Sequence, residues 1–228
     1  MGAHLCPILS FLSRIKSCLD RLRKGPLNCR AKNGGSKMFS ILAVSGSPRK
    51  EGNTEILVNA ALEPLAKEGS RINRFFLSEK KIAPCNACDA CAESGICIVD
   101  DDWQELHDLI LNTDAVIVGS PVYNRNITAQ LLATFNRFHS ITHHRPFKNK
   151  LCFGGAIAVG GSPNSQGITL NIIHNFFLSL GICCVPAVLN GVSVVARRKG
   201  EVLNQPKSLD DARVLGENIL KVLKKVKG

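Results

Sequence analysis

Four cysteines lie close together in the sequence, and their spacing is typical of a metal or cluster site. Cys85, Cys88, Cys91 and Cys97 form the pattern C-x-x-C-x-x-C-x-x-x-x-x-C within thirteen residues. Four thiolates on so short a segment can surround one ion or one iron–sulfur cluster, and tandem C-x-x-C spacing is used for cluster ligation. Tetrahedral zinc is the main rival, although structural zinc sites usually pair two C-x-x-C units across a longer gap. The loop is polar, so incidental buried cysteines explain the pattern poorly.

A second segment with chemical potential, residues 45–54, follows an apolar run and reads SGSPRKEGNT. Its two glycines allow tight turns, and a helix N-terminus after such a loop favours anions. Arg49 supplies charge for a phosphate dianion, and neutral donors come from Ser45, Ser47, Asn53 and Thr54. Pro48 and Gly52 complete the candidate loop. The segment lacks the patterns of a P-loop and of a dinucleotide fold. It therefore predicts a phosphate-binding loop, with an ordinary capped turn, Asn53 or Thr54 being the N-cap, as the alternative.

Alternating strands and helices are predicted from Met38 onward. Strand-like apolar runs cover residues 39–44, 72–77, 115–118, 151–159 and 182–189. Helical patterns cover residues 54–67, 102–111, 129–139, 169–180 and 208–225. Continuous apolar runs are typical of strands buried on both faces of a parallel sheet. We therefore predict an α/β fold with a doubly wound five-stranded parallel sheet in the flavodoxin-like order 2-1-3-4-5 and a cysteine-rich loop after the second strand. Cys152, Cys183 and Cys184 fall in these strands and are predicted core residues.

The strand order predicts where a ligand binds. In the order 2-1-3-4-5 the switch point lies between the first and third strands, and ligands bind beyond the carboxyl ends of those strands. The loops that follow the two strands are residues 45–53 and 120–128. The second loop contains Pro121, Val122, Tyr123 and Asn124, and Gly160 and Gly161 follow the fourth strand.

These loops resemble those of the NADPH-dependent FMN reductase group of flavodoxin-like proteins. The resemblance rests on Ser-Gly-Ser-Pro-Arg with Gly-Asn-Thr after the first strand, on Ser-Pro-Val-Tyr-Asn after the third and, more weakly, on Gly-Gly-Ser after the fourth. It covers the chain from Met38 to the C-terminus. The resemblance implies that residues 45–54 bind the phosphate of FMN. It also implies that residues 121–124 lie along the isoalloxazine ring, with Gly160 and Gly161 forming the third flavin-side loop.

The cysteine motif within this fold resembles that of the iron–sulfur flavoproteins of anaerobic archaea and bacteria. The resemblance implies that Cys85, Cys88, Cys91 and Cys97 ligate a [4Fe–4S] cluster. It also implies a homodimer or a higher homo-oligomer, in which the cluster of one subunit approaches the flavin of a neighbour. Such a protein would pass electrons between a ferredoxin-type one-electron donor and a two-electron acceptor.

Two alternatives compete with this interpretation. One is an NAD(P)H-dependent FMN or quinone reductase whose cysteine loop is structural, either empty or holding zinc. The other is a zinc-stabilised interaction module without enzymatic activity. The flavin and metal content of the protein would distinguish the three.

Charge divides the chain into a tail, residues 1–37, and a domain, residues 38–228. The tail holds eight basic residues and one acidic residue, a charge of +7, so only +4 of the net +11 belongs to the domain. The domain charge gives no support for nucleic-acid binding. The tail contains a basic amphipathic helical pattern that can contact a membrane surface, but a dispensable tail or a misassigned start is the simpler interpretation. No secretory signal is evident, and the four cysteines packed within residues 85–97 suit metal or cluster ligation better than a disulfide framework, which predicts a protein of the reducing cytoplasm.

Overall fold

A parallel β-sheet forms the centre of the protein. The computed structural model describes residues 38–142, 147 and 150–227, so the predicted tail lies outside the described residues. The strands are β1 (Ser40–Ser45), β2 (Arg71–Phe76), β3 (Ala115–Pro121), β4 (Phe153–Gly160), β5 (Cys183–Cys184) and β6 (Val192–Val195). Their order is β2-β1-β3-β4-β5, and β6 pairs with the later half of β4. The predicted doubly wound order is confirmed.

Helices cover both faces of the sheet. They are α1 (Asn53–Lys67), α2 (Trp103–Leu111), α3 (Ala129–Arg137), α4 (His139–Thr142), α5 (Gln166–Leu180) and α6 (Pro206–Lys227), with a 3₁₀ helix at Glu201–Asn204. Side chains of β1 alternate between two cores: Ile41 packs in the core with α1 and α6, whereas Leu42 packs in the core with α2, α3 and α5. Both faces of the sheet are therefore buried, as the continuous apolar runs predict. No helix among the described residues is both long and apolar enough to cross a bilayer.

The fifth strand differs from its prediction. Residues 182–189 were expected to form one strand, but β5 ends at Cys184 and pairing with β4 resumes only at Val192. Pro186 has no N–H to donate, so the chain leaves the sheet there. The Asn218 side-chain amide of α6 donates to the Pro186 and Ala187 carbonyls and holds this detour in place.

The predicted core cysteines divide into two kinds. Cys152 is fully buried, and burial raises the pKa of its thiol to about 12. Cys183 and Cys184 are exposed, so their prediction as core residues is wrong. They form a two-residue strand that pairs only with the start of β4 at the end of the sheet order.

Helices α1 and α6 pack closely through small residues. A Cβ at Gly216 of α6 would overlap the Ala61 carbonyl oxygen of α1 and lie 2.7 Å from Pro64 Cγ. Glycine at this position therefore allows the two backbones to touch. Helix α1 follows β1 directly in the chain, so its N-terminus lies at the carboxyl end of that strand.

Candidate functional site

Loops that follow four strands of the sheet meet around one cavity of about 220 Å³. The cavity lies at the carboxyl ends of β1 and β3, where the sequence predicts a ligand site. Its lining comprises Ser47, Arg49, Gly52, Asn53, Thr54, Pro121, Val122, Tyr123, Val159, Gly161, Ala196, Arg197 and Lys199. Three of these residues are cations and none is acidic, so the lining favours an anion.

The first loop is stabilised by hydrogen bonds within itself. Ser47 Oγ accepts from the Arg49 N–H at 3.1 Å, and the Gly52 N–H donates to the Arg49 carbonyl at 3.2 Å. These bonds turn the chain so that α1 begins at the cavity. The first turn of α1 has no side-chain cap, because Gly52 occupies the N-cap position. Gly52, Asn53 and Thr54 line the cavity, so the N-terminus of α1, with its free backbone N–H groups and the positive end of the helix dipole, lies beside the site where an anion would bind.

Asn53 joins the first loop to the chain that follows β6. Its side-chain amide donates to the Arg198 carbonyl at 2.8 Å, and its Oδ1 accepts from the Val202 N–H at 3.4 Å. The side chain predicted to donate to a phosphate is thus occupied in fixing the opposite wall of the cavity.

The second loop is a tight hairpin. Tyr123 and Asn126 exchange two backbone hydrogen bonds of 3.0 and 2.9 Å, and both Asn124 and Arg125 between them have positive φ. This is a two-residue turn of the kind that usually contains glycine. The Val122 N–H donates to the Val159 carbonyl, which ties the hairpin to β4.

Thr128 fixes the second loop against the first. Its hydroxyl donates to the Gly46 carbonyl at 2.6 Å, and the same oxygen accepts from the Leu131 N–H as the N-cap of α3. A Cβ at Gly46 would lie 2.8 Å from the Leu131 side chain, so the loop and the helix are in close contact. Both loops are therefore held at a fixed separation.

Arg197 and Lys199 contribute to the cavity although sequence reasoning missed them. The Glu201 carboxylate accepts from the Arg198 and Arg197 N–H groups at 2.8 Å each, and these bonds hold the pKa of Glu201 below its usual range. Arg197 Nε donates to the Gly161 carbonyl, which joins this segment to the third loop. The available signal was a basic run, Arg197-Arg198-Lys199, directly after a strand. It was overlooked because the fifth strand was predicted to end at residue 189.

A second cavity of about 330 Å³ adjoins the first. The two share Val122 and Gly161, and the second is also lined by Asn124, Arg125 and the segment Ser162–Ser165. The Gln166 amide donates to the Ser162 and Val194 carbonyls and supports this segment. Together the cavities form one groove, with three cations at the first cavity and mainly polar residues, Arg125 among them, at the second.

Nine of the thirteen residues predicted to bind the cofactor line the first cavity. Among the other four, Asn124 lines the adjoining cavity and Pro48 is exposed outside both. Ser45 and Gly160 are buried at the ends of β1 and β4, beneath the loops. The three predicted loops therefore converge.

The four predicted cysteine ligands lie on the segment between β2 and α2, outside any helix or strand. Cys91 is buried, Cys85 and Cys97 are half-buried, and Cys88 is exposed. Burial raises the pKa of the Cys91 thiol, and negative charge on Cys97, Cys85 and Cys88 raises it further.

The donor set has the right chemistry for a metal, although it is not gathered around one point. Within residues 38–142, 147 and 150–227, no three His, Cys, Asp or Glu side chains are arranged to hold a metal ion. Four thiols on one irregular segment, with Ala87 and Asp89 at positive φ, match the ligands and the tight turns that a thiolate-bound cluster requires. The residues therefore fit an iron–sulfur cluster or zinc in type and number.

Comparison with known sequences covers the segments that form this site. A sequence model of the NADPH-dependent FMN reductase family matches residues 39–194, which include the three loops and the four cysteines. An iron–sulfur flavoprotein of Methanocaldococcus jannaschii is 37% identical over 194 residues, which are 83% of this chain and 100% of the relative. An iron–sulfur flavoprotein of Methanosarcina thermophila is 38% identical over 148 residues, 64% of this chain and 77% of the relative.

Comparison with solved structures supports the fold. A WrbA-like flavodoxin from Agrobacterium tumefaciens superposes with a TM-score of 0.57 at 15% identity. The match covers 82% of this chain and 98% of that protein. The sheet and its helices are thus those of a flavodoxin-like domain.

Proposed function

This chain belongs to the NADPH-dependent FMN reductase family and, within it, to the iron–sulfur flavoproteins, and from that membership we propose how it works. It is a flavin-dependent oxidoreductase. The proposal is that FMN occupies the groove of the domain formed by residues 38–228, and that Cys85, Cys88, Cys91 and Cys97 hold a [4Fe–4S] cluster. Electrons would pass between a ferredoxin-type one-electron donor and a two-electron acceptor. The observation that carries this proposal is the convergence of three loops on one cationic groove.

The cationic end of the groove suits the phosphate. Arg49 supplies charge, and the uncapped N-terminus of α1 supplies backbone donors. Arg197 and Lys199 add positive charge from the opposite wall, where Glu201 orients the backbone. A phosphate dianion in this position would be neutralised without an added metal ion.

The middle of the groove, where the two cavities meet at Val122 and Gly161, suits an isoalloxazine ring. Val122 and Tyr123 offer one apolar edge, and the hairpin and the 161–165 segment offer backbone groups. Tyr123 is 43% exposed, so it has free surface for a ring to cover. These residues would orient the ring, and the flavin, which exchanges one or two electrons, and the cluster, which exchanges one, would supply the redox chemistry.

We propose the electron partners and the assembly from the same family membership. A one-electron carrier such as ferredoxin, or NAD(P)H, would be the donor, and the protein would act in the cytoplasm. A homodimer or higher homo-oligomer would bring the cysteine loop of one subunit to the flavin of another. Ile96 and Ile98 flank Cys97 and are both exposed, which supports a partner surface at this loop.

The test is the cofactor content of protein purified without oxygen. We expect one FMN, about four iron atoms and about four acid-labile sulfides per chain. FMN with zinc or with no metal would contradict the cluster and favour the reductase with a structural cysteine loop. Zinc without FMN would favour the interaction module.

A further inference from the structure

A buried arginine from a distant helix holds both ends of the cysteine segment. Arg137 is the last residue of α3, and its side chain is fully buried. Nη1 donates to the Ala83 carbonyl at 2.9 Å, and Nη2 donates to the Val99 carbonyl at 3.2 Å. Ala83 precedes Cys85 by two residues, and Val99 follows Cys97 by two residues. One guanidinium thus spans the two points where the chain enters and leaves the four cysteines.

Asp101 completes this contact. Its Oδ2 accepts from Arg137 Nη1 at 2.7 Å and from the Ala83 N–H at 2.9 Å, while Oδ1 accepts from the Trp103 N–H at 3.0 Å. Burial opposes ionisation of the carboxyl, but the hydrogen bonds from Arg137, Ala83 and Trp103 outweigh it and hold its pKa below the usual range. The carboxylate is therefore charged at neutral pH and joins the start of α2 to the chain at Ala83, where the cysteine segment begins.

Fold stability alone is a poor explanation for this arginine. Burying an ion pair costs desolvation energy, and apolar residues of similar volume often stabilise a fold as well or better. Arg137 Nε is also buried without a hydrogen-bond partner, which adds to the cost. What an apolar side chain cannot do is bond two carbonyls and a carboxylate at once, because only the planar guanidinium fork offers donors in that arrangement.

The consequence concerns the fifteen residues between the two carbonyls. Because both ends are fixed, the segment 84–98 is already a closed loop before the cluster binds. Less chain entropy is therefore lost when the four thiolates converge on the cluster. Groups that orient ligands without touching the metal typically change metal affinity ~10–100-fold when removed.

We infer that Arg137 is a positioning residue for the cluster, acting through the Ala83 and Val99 backbone and through Asp101. This inference rests on the proposed function, because it presumes that the cysteines hold iron. It assigns to α3 a role in the metal site that neither the cysteine spacing nor the flavin loops indicate.

The experiment compares Arg137→Lys with Arg213→Lys. Arg213 on α6 lies away from the loop and bonds two carboxylates, those of Glu63 and Asp210, so it controls for the loss of an arginine ion pair. It is more exposed than Arg137, and the thermal midpoint accounts for that difference in burial. The readouts are iron and sulfide per chain during challenge with a chelator, the EPR spectrum of the reduced cluster, FMN per chain and the thermal midpoint. We expect Arg137→Lys to lose iron ~10–100-fold faster with an altered EPR signal while retaining FMN, because lysine cannot reproduce the fork.

The outcomes separate the inference from its premise. A parent protein that binds FMN but neither iron nor sulfide overturns the cluster proposal itself. A parent with a full cluster, together with an Arg137→Lys variant whose iron retention and EPR spectrum are unchanged, overturns the inference alone. If Arg137→Lys does not fold, Asp101→Asn provides the same test, since it keeps the side-chain size and breaks the ion pair. Unchanged iron retention in that variant also overturns the inference.

Discussion

Arg49 and Lys50 are neighbouring exposed cations on the first loop, but only Arg49 lines the cavity. Lys50 forms an ion pair with Glu79 at 2.6 Å instead. We expect Arg49→Gln to weaken FMN binding about 10- to 100-fold, since a hydrogen bond to a charged group contributes about 1.5–3 kcal/mol. Lys50→Gln is the control and should change the dissociation constant little. Fluorescence titration of FMN measures both, and equal losses would show that the loop acts only through its overall charge.

The sequence predicted the residues of the site unevenly, for physical reasons. Arg49 and Gly52 sit in a contiguous segment after a strand, so local spacing reveals them. Arg197 depends on where the fifth strand ends, and that depends on the detour which Asn218 of α6 stabilises. Arg137 resembles any helix-terminal arginine in sequence, and its burial arises from tertiary contacts with residues 83 to 101.

Asp114, just before β3, makes the free energy of unfolding depend on pH in the acid range. Its carboxylate accepts from Lys227 Nζ at 2.7 Å and from the Ser40 N–H at 2.9 Å. Burial opposes the charged form, but these bonds outweigh it and hold the pKa of Asp114 below its usual range. Because the pKa of Asp114 is lower in the folded protein than in the unfolded chain, where it is about 3.9, the ionised carboxylate stabilises the fold at pH values above about 3.9. This stabilisation is lost as the pH falls through the pKa of the folded state.

The corresponding variant is Asp114→Asn. We expect it to be less stable than the parent at pH 7 and the difference to shrink as the pH falls below about 4. Urea unfolding at a series of pH values measures the free energy of unfolding of both proteins. Other carboxylates titrate in both, so only the difference between the curves is diagnostic. A difference that is constant with pH would assign the loss to packing.

At the scale of elements, the contact between α1 and α6 depends on Gly216. Gly216→Ala should reduce the free energy of unfolding by about 1–3 kcal/mol, because the added methyl would overlap the Ala61 carbonyl oxygen and force the helices apart. Gly167→Ala in α5 is the matched control, since its Cβ would meet nothing within 4 Å. It should be neutral or stabilising by up to about 1 kcal/mol through helix propensity. Urea denaturation distinguishes them, and a stable Gly216→Ala would mean that the helices can move apart at no cost.

Most helices and strands were predicted correctly in type, and their observed ends differ from the predicted ones by a few residues. Strand β4 and helix α5 follow from continuous apolar runs and from helical spacing. The fifth strand was predicted too long because the apolar residues of 182–189 indicate burial, whereas Val188 and Leu189 are exposed. Apolar composition indicates only that a segment tends to be buried. Continued strand pairing also requires backbone N–H donors, and Pro186 has none.

At the scale of the whole molecule, the proposed assembly depends on the exposed apolar residues of the cysteine loop. Ile98 is 67% exposed, and Leu178 at the end of α5 is 63% exposed. We expect Ile98→Lys to shift the protein toward monomer, because a desolvated lysine disfavours an apolar contact, and Leu178→Lys to leave the assembly unchanged. Sedimentation velocity measures the mass, with FMN content as the folding control. Dissociation by Leu178→Lys alone would place the interface on α5.

The hydrogen bonds of Asn53 connect two parts of the chain that are synthesised at different times. They join residue 53 to residues 198 and 202, so the cavity wall that carries Arg197 and Lys199 comes from the last part of the chain. Because a protein is made from its N-terminus, the cysteine segment leaves the ribosome about a hundred residues before this wall does. The nascent chain therefore presents its thiols well before this cavity wall is made, and under the proposed function FMN capture would be a late step in the biogenesis of this protein.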